Sequence, residues 1–153
     1  MFSVMTLNCN YYLDKHGHWE RRKYLINELI LQTLPDVIVL QAICQDPLKY
    51  GGIDQASQIA ERTGYRHVYF HAAEADPDGR RRGQAVISRH PVTTPAPLRL
   101  SLKPGLGDAT HRLIQPVGIE TKQGTLYIFN VHFSWITEQC TENLRETLAF
   151  INR

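Results

Sequence analysis

The sequence predicts a mixed α/β domain with layered packing. Residues 2–7 alternate between two faces as a strand does, and apolar residues recur at helical spacing over 19–34. The run Val37-Ile38-Val39-Leu40 is apolar throughout, which is typical of a strand that is buried on both faces. Strand and helix patterns therefore alternate along the first part of the chain, as they do in layered α/β domains. A length of 153 residues suits one such core.

Each predicted element has its own local signal. Pro35 ends the first helix, because the residue before a proline is pushed out of the α region. A second helix over 54–63 has Gly64 at its C-terminal end. A final helix over 138–152 is expected to turn Leu144, Leu148 and Ile151 inward. Strands are predicted at 66–71, 84–88 and 98–102, with a hairpin of 113–121 and 125–132 joined through 122–124.

Composition excludes several classes of protein. A hydrophobic content of 42% and a charged content of 21% argue against disorder and coiled coil, and the apolar runs are too short to span a membrane. The opening residues lack the pattern of a secretory signal. Three cysteines without C-x-x-C spacing argue against a disulfide framework and a zinc knuckle, so a reducing, cytoplasmic setting is expected. The net charge of +2 is too small to mark a dedicated nucleic-acid binder.

Four short patterns, taken in order, carry a family resemblance. They are Thr6-Leu7-Asn8, Leu40-Gln41, the stretch 83–92 and Phe129-Asn130-Val131-His132-Phe133, accompanied by 19–22 and 35–38. Together they resemble the endonuclease/exonuclease/phosphatase (DNase I-like) superfamily. The resemblance implies a four-layer α/β/β/α sandwich of the DNase I-like type. It also implies hydrolysis of phosphoester bonds, by a nuclease, phosphodiesterase or phosphatase, that depends on a divalent metal, with Mg²⁺ or Mn²⁺ as the expected ion.

The candidate catalytic residues are Asn8, Asn130 and His132. The Asn8 amide, at a strand end, is able to donate to a phosphate oxygen or orient a metal-bound water, although an asparagine there also suits a turn cap. Asn130 and His132 are two residues apart and so share a face. The resemblance implies that His132 contacts the scissile phosphate or assists the leaving group, with Glu74 as its carboxylate partner. The alternative is a histidine that is hydrogen-bonded within the sheet.

Two arginine positions are candidate substrate contacts. Arg81 lies in the run 80–82, which is either a solvated loop or a lip that contacts phosphate. Arg112 is either a substrate-binding arginine or a structural one in a salt bridge.

The first departure from the family pattern is at residue 42. Relatives read Leu-Gln-Glu at this strand end, and that glutamate is the principal metal ligand, but this chain reads Leu40-Gln41-Ala42. A methyl group cannot coordinate a hard cation, and Gln41 is expected to point to the other side of the strand. The metal site is therefore predicted around Ala42 and Asn8 but without its main ligand, and the chain alone is predicted to be inactive. Deliberate replacement of a glutamate and natural loss are both open.

The second departure is length. The resemblance implies that relatives continue into strands with an Asp-x-Asn motif and an Asp-His pair, which this sequence does not contain. Residues 1–153 are therefore expected to be the N-terminal half of one domain, packed against the remaining half as a second polypeptide. The helices cover only one face of the strand 37–40, and the hairpin 113–132 is not expected to cover the other alone. Among phosphoester substrates, nucleic acid is slightly favoured over lipid or inositol phosphate.

Two further functions stay open at this point. The chain is alternatively a catalytically dead binding module that grips a phosphorylated ligand or a protein partner. It is also, in a third reading, a general α/β interaction domain with accidental motif matches. In that last case Asn8, Ala42 and His132 would not cluster in space.

Overall fold

The computed structural model describes residues 2–122 and 124–152, and within them the chain forms eight strands and three α-helices. Single 3₁₀ turns lie at Asp14–His16 and Tyr50–Gly52. The elements in order are β1 (Val4–Asn8), α1 (Trp19–Thr33), β2 (Val37–Gln45), α2 (Gln55–Thr63), β3 (His67–Ala75), β4 (Arg81–Ser88), β5 (Val92–Thr93), β6 (Leu98–Arg99), β7 (Leu113–Thr121), β8 (Gly124–Val131) and α3 (Thr137–Ile151).

The strands form two sheets. The first sheet has the order β1-β2-β4-β3, with β1 parallel to β2 and the other pairs antiparallel. In the second sheet, β5 and β6 pair with β7 on one side, and β8 pairs with β7 on the other side. The parallel pair matters for function, because it brings the carboxyl ends of β1 and β2 to the same edge.

The layers stack in the order helix, sheet, sheet, helix. Helices α1 and α2 cover one face of the first sheet, where Ile30 and Ile59 pack against Ile38 and Leu40. The other face packs on the second sheet through a valine-rich cluster. Its buried members are Val37, Val39, Val86, Val117 and Ile119. Helix α3 lies beyond the second sheet, with the Phe150 ring 6.0 Å from that of Phe129 on β8. The predicted four-layer α/β/β/α class is confirmed.

The second sheet covers the face of β2 opposite the helices. The sequence predicted that the hairpin of β7 and β8 would not cover this face alone. In the structure β5 and β7 supply Val92, Val117 and Ile119 to that face, and β8 adds the half-buried Ile128. The hairpin therefore does not act alone, because two-residue strands on the far edge of β7 widen the sheet.

The boundaries of α2 match the local signals well. The Asp54 side chain accepts hydrogen bonds from the backbone N–H groups of Ala56 and Ser57, at 2.9 and 3.0 Å. Gly64 ends the helix in the left-handed region, with φ of 77°. Helix α1 ends at Thr33, and Leu34 adopts a left-handed conformation just before Pro35.

The inward face predicted for α3 is wrong. Leu144, Leu148 and Ile151 are 45%, 50% and 43% exposed. The buried face is polar instead: Gln139, Asn143 and Thr147. Gln139 and Asn143 donate to the Ser101 carbonyl, at 2.8 and 3.3 Å. An irregular segment with free backbone groups lies under this helix, so amide side chains face it rather than leucines.

The arginine run 80–82 is not a solvated loop, which was one of its two predicted roles. Arg81 and Arg82 belong to β4, and β4 pairs with β3 as far as Arg81 and Ala75. Arg82 lies 3.1 Å from Glu74 and 2.6 Å from Asp76. These ion pairs let a charged segment pair as strands. The strand predicted at 98–102 is reduced to two residues. Among the described residues no helix is long and apolar enough to cross a membrane.

Candidate functional site

The two sheets meet at the carboxyl end of β1. Asn8 is the last residue of β1 and lies opposite Gln41 of β2. Its Nδ2 atom is 3.3 Å from Nε2 of His132, which directly follows β8 in the second sheet. Asn8 also caps a turn, because its Oδ1 atom accepts the Asn10 N–H at 2.9 Å. The turn cap uses only the amide oxygen of Asn8, so the predicted contact of its amide nitrogen with phosphate stays a prediction.

His132 is neutral at pH 7 in this setting. Burial lowers its pKa from the ordinary value of 6.5 to about 4, and the charge of Arg112 lowers it further, against the opposing effect of Asp108. The amide nitrogen of Asn8 is a donor, so the contact assigns Nε2 as the acceptor and leaves the ring proton on Nδ1. The site therefore presents an uncharged imidazole beside an amide.

Arg112 is buried in a salt bridge, which is one of its two predicted roles, and its predicted substrate contact stays a prediction. Its Nη2 atom lies 2.9 Å from Oδ2 of Asp108, and its Nη1 atom donates to the His132 carbonyl at 3.0 Å. The Ser134 hydroxyl donates to the same Asp108 carboxylate. This network holds the backbone of His132, and the contact with Asn8 holds its ring.

Glu74 does not pair with His132, which corrects that prediction. Its Oε1 atom lies 3.1 Å from Arg82, and its Oε2 atom accepts the His111 N–H at 3.2 Å. Asp108 is the carboxylate whose charge acts on His132. Sequence reasoning missed it because Asp108 lies in an irregular segment before β7, where neither spacing nor periodicity marks a partner.

Asn130 lies between the sheets and is only 1% exposed. Its Nδ2 atom donates to the carbonyls of Leu40 and Ala85, at 3.1 and 3.0 Å, and lies 3.0 Å from Oε1 of Gln115. Its Oδ1 atom accepts from Gln41 at 2.8 Å. A direct contact with phosphate would break these bonds, so the geometry favours a positioning role for Asn130.

Ala42 occupies an irregular position in β2. The ladder with β4 shifts register between Leu40 and Ile43, and Ala42 has a φ of 53° in the left-handed region. It is 1% exposed, and its carbonyl accepts the Tyr11 N–H at 2.7 Å. Gln41 instead turns its side chain toward Asn130, between the sheets. Ala42 thus follows the register partner of Asn8, at the same edge of the sheet.

The residues present do not fit a Mg²⁺ or Mn²⁺ ion. Neither Ala42 nor Asn8 has a carboxylate, and hard divalent cations need several oxygen ligands, carboxylates foremost. Across residues 2–122 and 124–152 no group of three or more His, Cys, Asp or Glu side chains is placed to hold a metal. The metal role of Ala42 and Asn8 therefore stays a prediction. It applies to a chain that has a glutamate at position 42.

Arg81 lies apart from Asn8 and His132. It is exposed at the start of β4, donates to Oε1 of Gln45 at 3.1 Å, and stacks 5.6 Å above the Phe70 ring. In the described part of the chain it does not contact Asn8 or His132. Its predicted substrate contact stays a prediction.

One feature near the site was not predicted. Arg22, in the quoted pattern at the start of α1, donates to three carbonyls of the loop after β1. Nε bonds to Gly17 and Nη2 to Tyr11, both at 2.8 Å, and Nη1 bonds to Cys9. Tyr11 and Asn10 both have left-handed backbones, with φ of 50° and 55°. Asparagine adopts this conformation more readily than most residues, but nothing in the sequence marks it at Tyr11.

The sequence profile of the Endonuclease/Exonuclease/phosphatase family matches residues 5–152. The chain therefore belongs to the endonuclease/exonuclease/phosphatase family. A search of curated proteins returns no match.

Solved structures share the fold of this chain. An endonuclease/exonuclease/phosphatase from Beutenbergia cavernae DSM 12333 is 25% identical with a TM-score of 0.77, over 97% of this chain and 43% of that one. A family protein from Leptotrichia buccalis C-1013-b is 15% identical with a TM-score of 0.75, over 97% and 61%. The human Nocturnin catalytic domain is 22% identical with a TM-score of 0.67, over 98% and 58%. This chain thus spans about half the length of these structures.

Proposed function

We propose that the protein to which this chain contributes hydrolyses phosphoester bonds, and that Asn8 and His132 contact the phosphate. The observation that carries the proposal is their 3.3 Å contact, which joins the ends of strands from both sheets in a member of this family. Solved structures of the same fold include a mannosyl-6-phosphatase from Bacteroides thetaiotaomicron and ANGEL2, a 2',3'-cyclic phosphatase. Those activities belong to those proteins and support a phosphoester substrate here.

The chemistry suits the two side chains. Hydrolysis adds water to phosphorus and places negative charge on the phosphoryl oxygens and on the departing oxygen. The Asn8 amide donates to a phosphoryl oxygen. A bound anion raises the pKa of His132, because an opposite charge favours the imidazolium, and the ring is then able to protonate the departing oxygen. Asn130 and Arg112 hold these groups in place. A net charge of +2 slightly favours nucleic acid as the substrate.

We propose a divalent metal only for a protein that has a carboxylate at position 42. We expect Ala42→Glu in the complete protein to create Mn²⁺ or Mg²⁺ binding, because it adds the hard oxygen ligand that the strand end lacks. Titration calorimetry of both proteins with Mn²⁺ measures this directly. Bound metal is also expected to stabilise the folded variant by about 2.7 kcal/mol when its concentration is 100 times Kd, and so to raise the melting temperature.

Ala42→Gln is the matched control, since it has nearly the same size as glutamate but no charge. We expect it to bind Mn²⁺ no better than the parent chain. Equal Mn²⁺ affinity in all three proteins, or no binding in any, would contradict the metal proposal. Hydrolysis of bis(4-nitrophenyl) phosphate by the complete protein with Ala42→Glu, lost again on adding His132→Ala, supports the catalytic assignment.

A catalytically dead binding module is the second candidate, and Ala42 favours it. Such a module keeps Asn8 and His132 for phosphate but has no metal ligand at the neighbouring strand end. It predicts phosphate binding without hydrolysis in both the parent chain and Ala42→Glu. Glutamate at this position in the natural gene would favour the enzyme instead.

The strand edges support a proposed polypeptide partner, the remaining half of the domain. In the described residues β1 pairs only with β2, and β8 pairs only with β7. Apolar side chains are exposed on both edge strands and on α3: Val4, Leu126, Tyr127, Leu144 and Leu148. Unpaired edges with exposed apolar residues favour pairing with further strands. Self-association of the purified chain, reversed by adding the missing half, is expected in light scattering. A monodisperse monomer with cooperative unfolding contradicts this proposal.

A further inference from the structure

Two strands from different sheets carry the proposed phosphate contacts. Asn8 ends β1 in the first sheet, and His132 directly follows β8 in the second sheet. Within the described residues β1 pairs only with β2 and β8 only with β7, so no backbone ladder sets the distance between Asn8 and His132. Side chains between the sheets must therefore hold these two strands at the spacing that the 3.3 Å contact requires.

Gln41 of β2 reaches both strands through one amide nitrogen. Its Nε2 atom donates to Oδ1 of Asn130 at 2.8 Å and to Oγ1 of Thr6 at 3.2 Å. An amide nitrogen carries two hydrogens, and these two contacts are its shortest. Thr6 lies two residues before Asn8 on β1, and Asn130 lies two residues before His132. Each residue that Gln41 contacts therefore shares a face of its strand with one member of the pair.

The neighbours of Asn130 decide which group residue 41 must present. Nδ2 of Asn130 donates to the carbonyls of Leu40 and Ala85 and lies 3.0 Å from Oε1 of Gln115. These three acceptors face the amide nitrogen, so the amide oxygen of Asn130 is left for a donor. Glutamine at position 41 supplies that donor, whereas an ionised glutamate has none.

The contact between Gln41 and Asn130 is buried. Gln41 is 9% exposed and Asn130 is 1% exposed. A buried polar group that loses its partner is not satisfied by solvent, so the two amides keep this contact as long as the sheets stay packed. The Gln41 side chain therefore holds β8 at a defined distance from β2, and its bond to Thr6 extends the link to β1.

We propose that Gln41 is a positioning residue, which sets the distance between Asn8 and His132 by bonding to the strand of each. This inference rests on the proposed function, in which those two side chains bind one phosphate. It gives a role to the glutamine of the pattern Leu40-Gln41 without placing it in contact with the phosphate. A misplaced donor weakens binding even when it is chemically intact, so loss of Gln41 acts on the site as well as on stability.

Gln41→Met tests the proposal, because methionine is of similar length but donates no hydrogen bond. Binding of inorganic phosphate, measured by calorimetry, is expected to weaken about 10-fold. The ¹⁵N resonance of Nε2 of His132, assigned by its loss in His132→Ala, is expected to shift toward the value of a free imidazole nitrogen. The reason is that the bond from Asn8 to this atom is stretched when the strands lose their spacer. This second readout is measured without phosphate.

Gln115→Met is the matched control for a purely structural role. Gln115 is also buried between the sheets and also bonds to Asn130. Its other contacts are with Tyr69 and His71 of β3, at the opposite edge of the sheet from β1. We expect a similar loss of stability in urea, with the phosphate affinity and the Nε2 resonance close to their parental values. Equal changes in the two variants would show that Gln41 acts on stability alone and would overturn the proposal.

Thr6→Val keeps the proposal testable if Gln41→Met does not fold. It removes only the hydroxyl on β1, at an exposed position, and valine suits a strand. We expect weaker phosphate binding and a shift of the Nε2 resonance in the same direction as in Gln41→Met. Parental values in Thr6→Val would show that Gln41 does not act through β1, which overturns its role as the link between the two strands.

The two readouts separate this inference from the proposed function. A shifted Nε2 resonance in Gln41→Met, with no phosphate binding by the parent chain, supports the spacing role of Gln41 and overturns the phosphate site. An unchanged Nε2 resonance in Gln41→Met, with phosphate binding that is lost in His132→Ala, overturns the role of Gln41 and leaves the proposed function standing.

Discussion

Replacing Asn130 with alanine is expected to lower the free energy of unfolding by about 3–5 kcal/mol. The amide bonds to two backbone carbonyls of the first sheet, those of Leu40 and Ala85, and to the side chains of Gln41 and Gln115. The variant leaves several of these buried groups without partners, at about 1–3 kcal/mol each. Urea unfolding followed by the fluorescence of the buried Trp19 measures the change.

Asn152→Ala is the control for this experiment. Asn152 is exposed at the end of α3, and its side chain makes no hydrogen bond within the described residues. A loss below about 0.5 kcal/mol is expected there. If Asn130→Ala cost as little as the control, the amide would not be joining the two sheets.

Replacing Arg112 with methionine is expected to cost about 3–5 kcal/mol at pH 7, because it leaves the Asp108 carboxylate buried without its cation. Arg145→Met is the matched control. Arg145 forms an exposed pair with Glu142 on α3, and surface pairs are worth less than about 1 kcal/mol. Similar losses in the two variants would contradict the structural role of Arg112.

The cost of Arg112→Met is also expected to depend on pH. Burial acts to raise the pKa of Asp108, but hydrogen bonds from Ser134, Thr110 and Arg112 lower it to about 2 from its ordinary value of 3.8. A carboxyl with a lowered pKa stabilises the fold fully above the unfolded value and loses that contribution as pH falls through the folded value. The difference between variant and parent should therefore shrink between about pH 4 and pH 2. A constant difference across this range contradicts the assignment.

The sequence predicted those parts of the fold that rest on local signals. Gly64 ends α2 where its residue type indicated, and the hairpin of β7 and β8 lies within one residue of its predicted bounds. The parallel pairing of β1 and β2 brought Asn8 to the expected edge. Such signals are contained in a few neighbouring residues, and they hold whatever the rest of the chain does.

Features that depend on tertiary contacts were not predictable in the same way. The inward face of α3 is polar because it meets the irregular backbone at Ser101, and no periodicity reveals that neighbour. Asp108 replaced Glu74 as the carboxylate near His132 for the same reason. The left-handed backbone at Ala42 and Tyr11 is set by contacts between β2, α1, α2 and the loop after β1.

The most direct test of a phosphate site at Asn8 and His132 is the pKa of His132 with and without inorganic phosphate. Ring resonances followed by NMR across pH give this value, and His132→Ala assigns the signal among the seven histidines. We predict a pKa of about 4 in the free chain. With saturating phosphate it should rise above about 5, because the bound anion favours the imidazolium. The same pKa in both conditions would contradict the site.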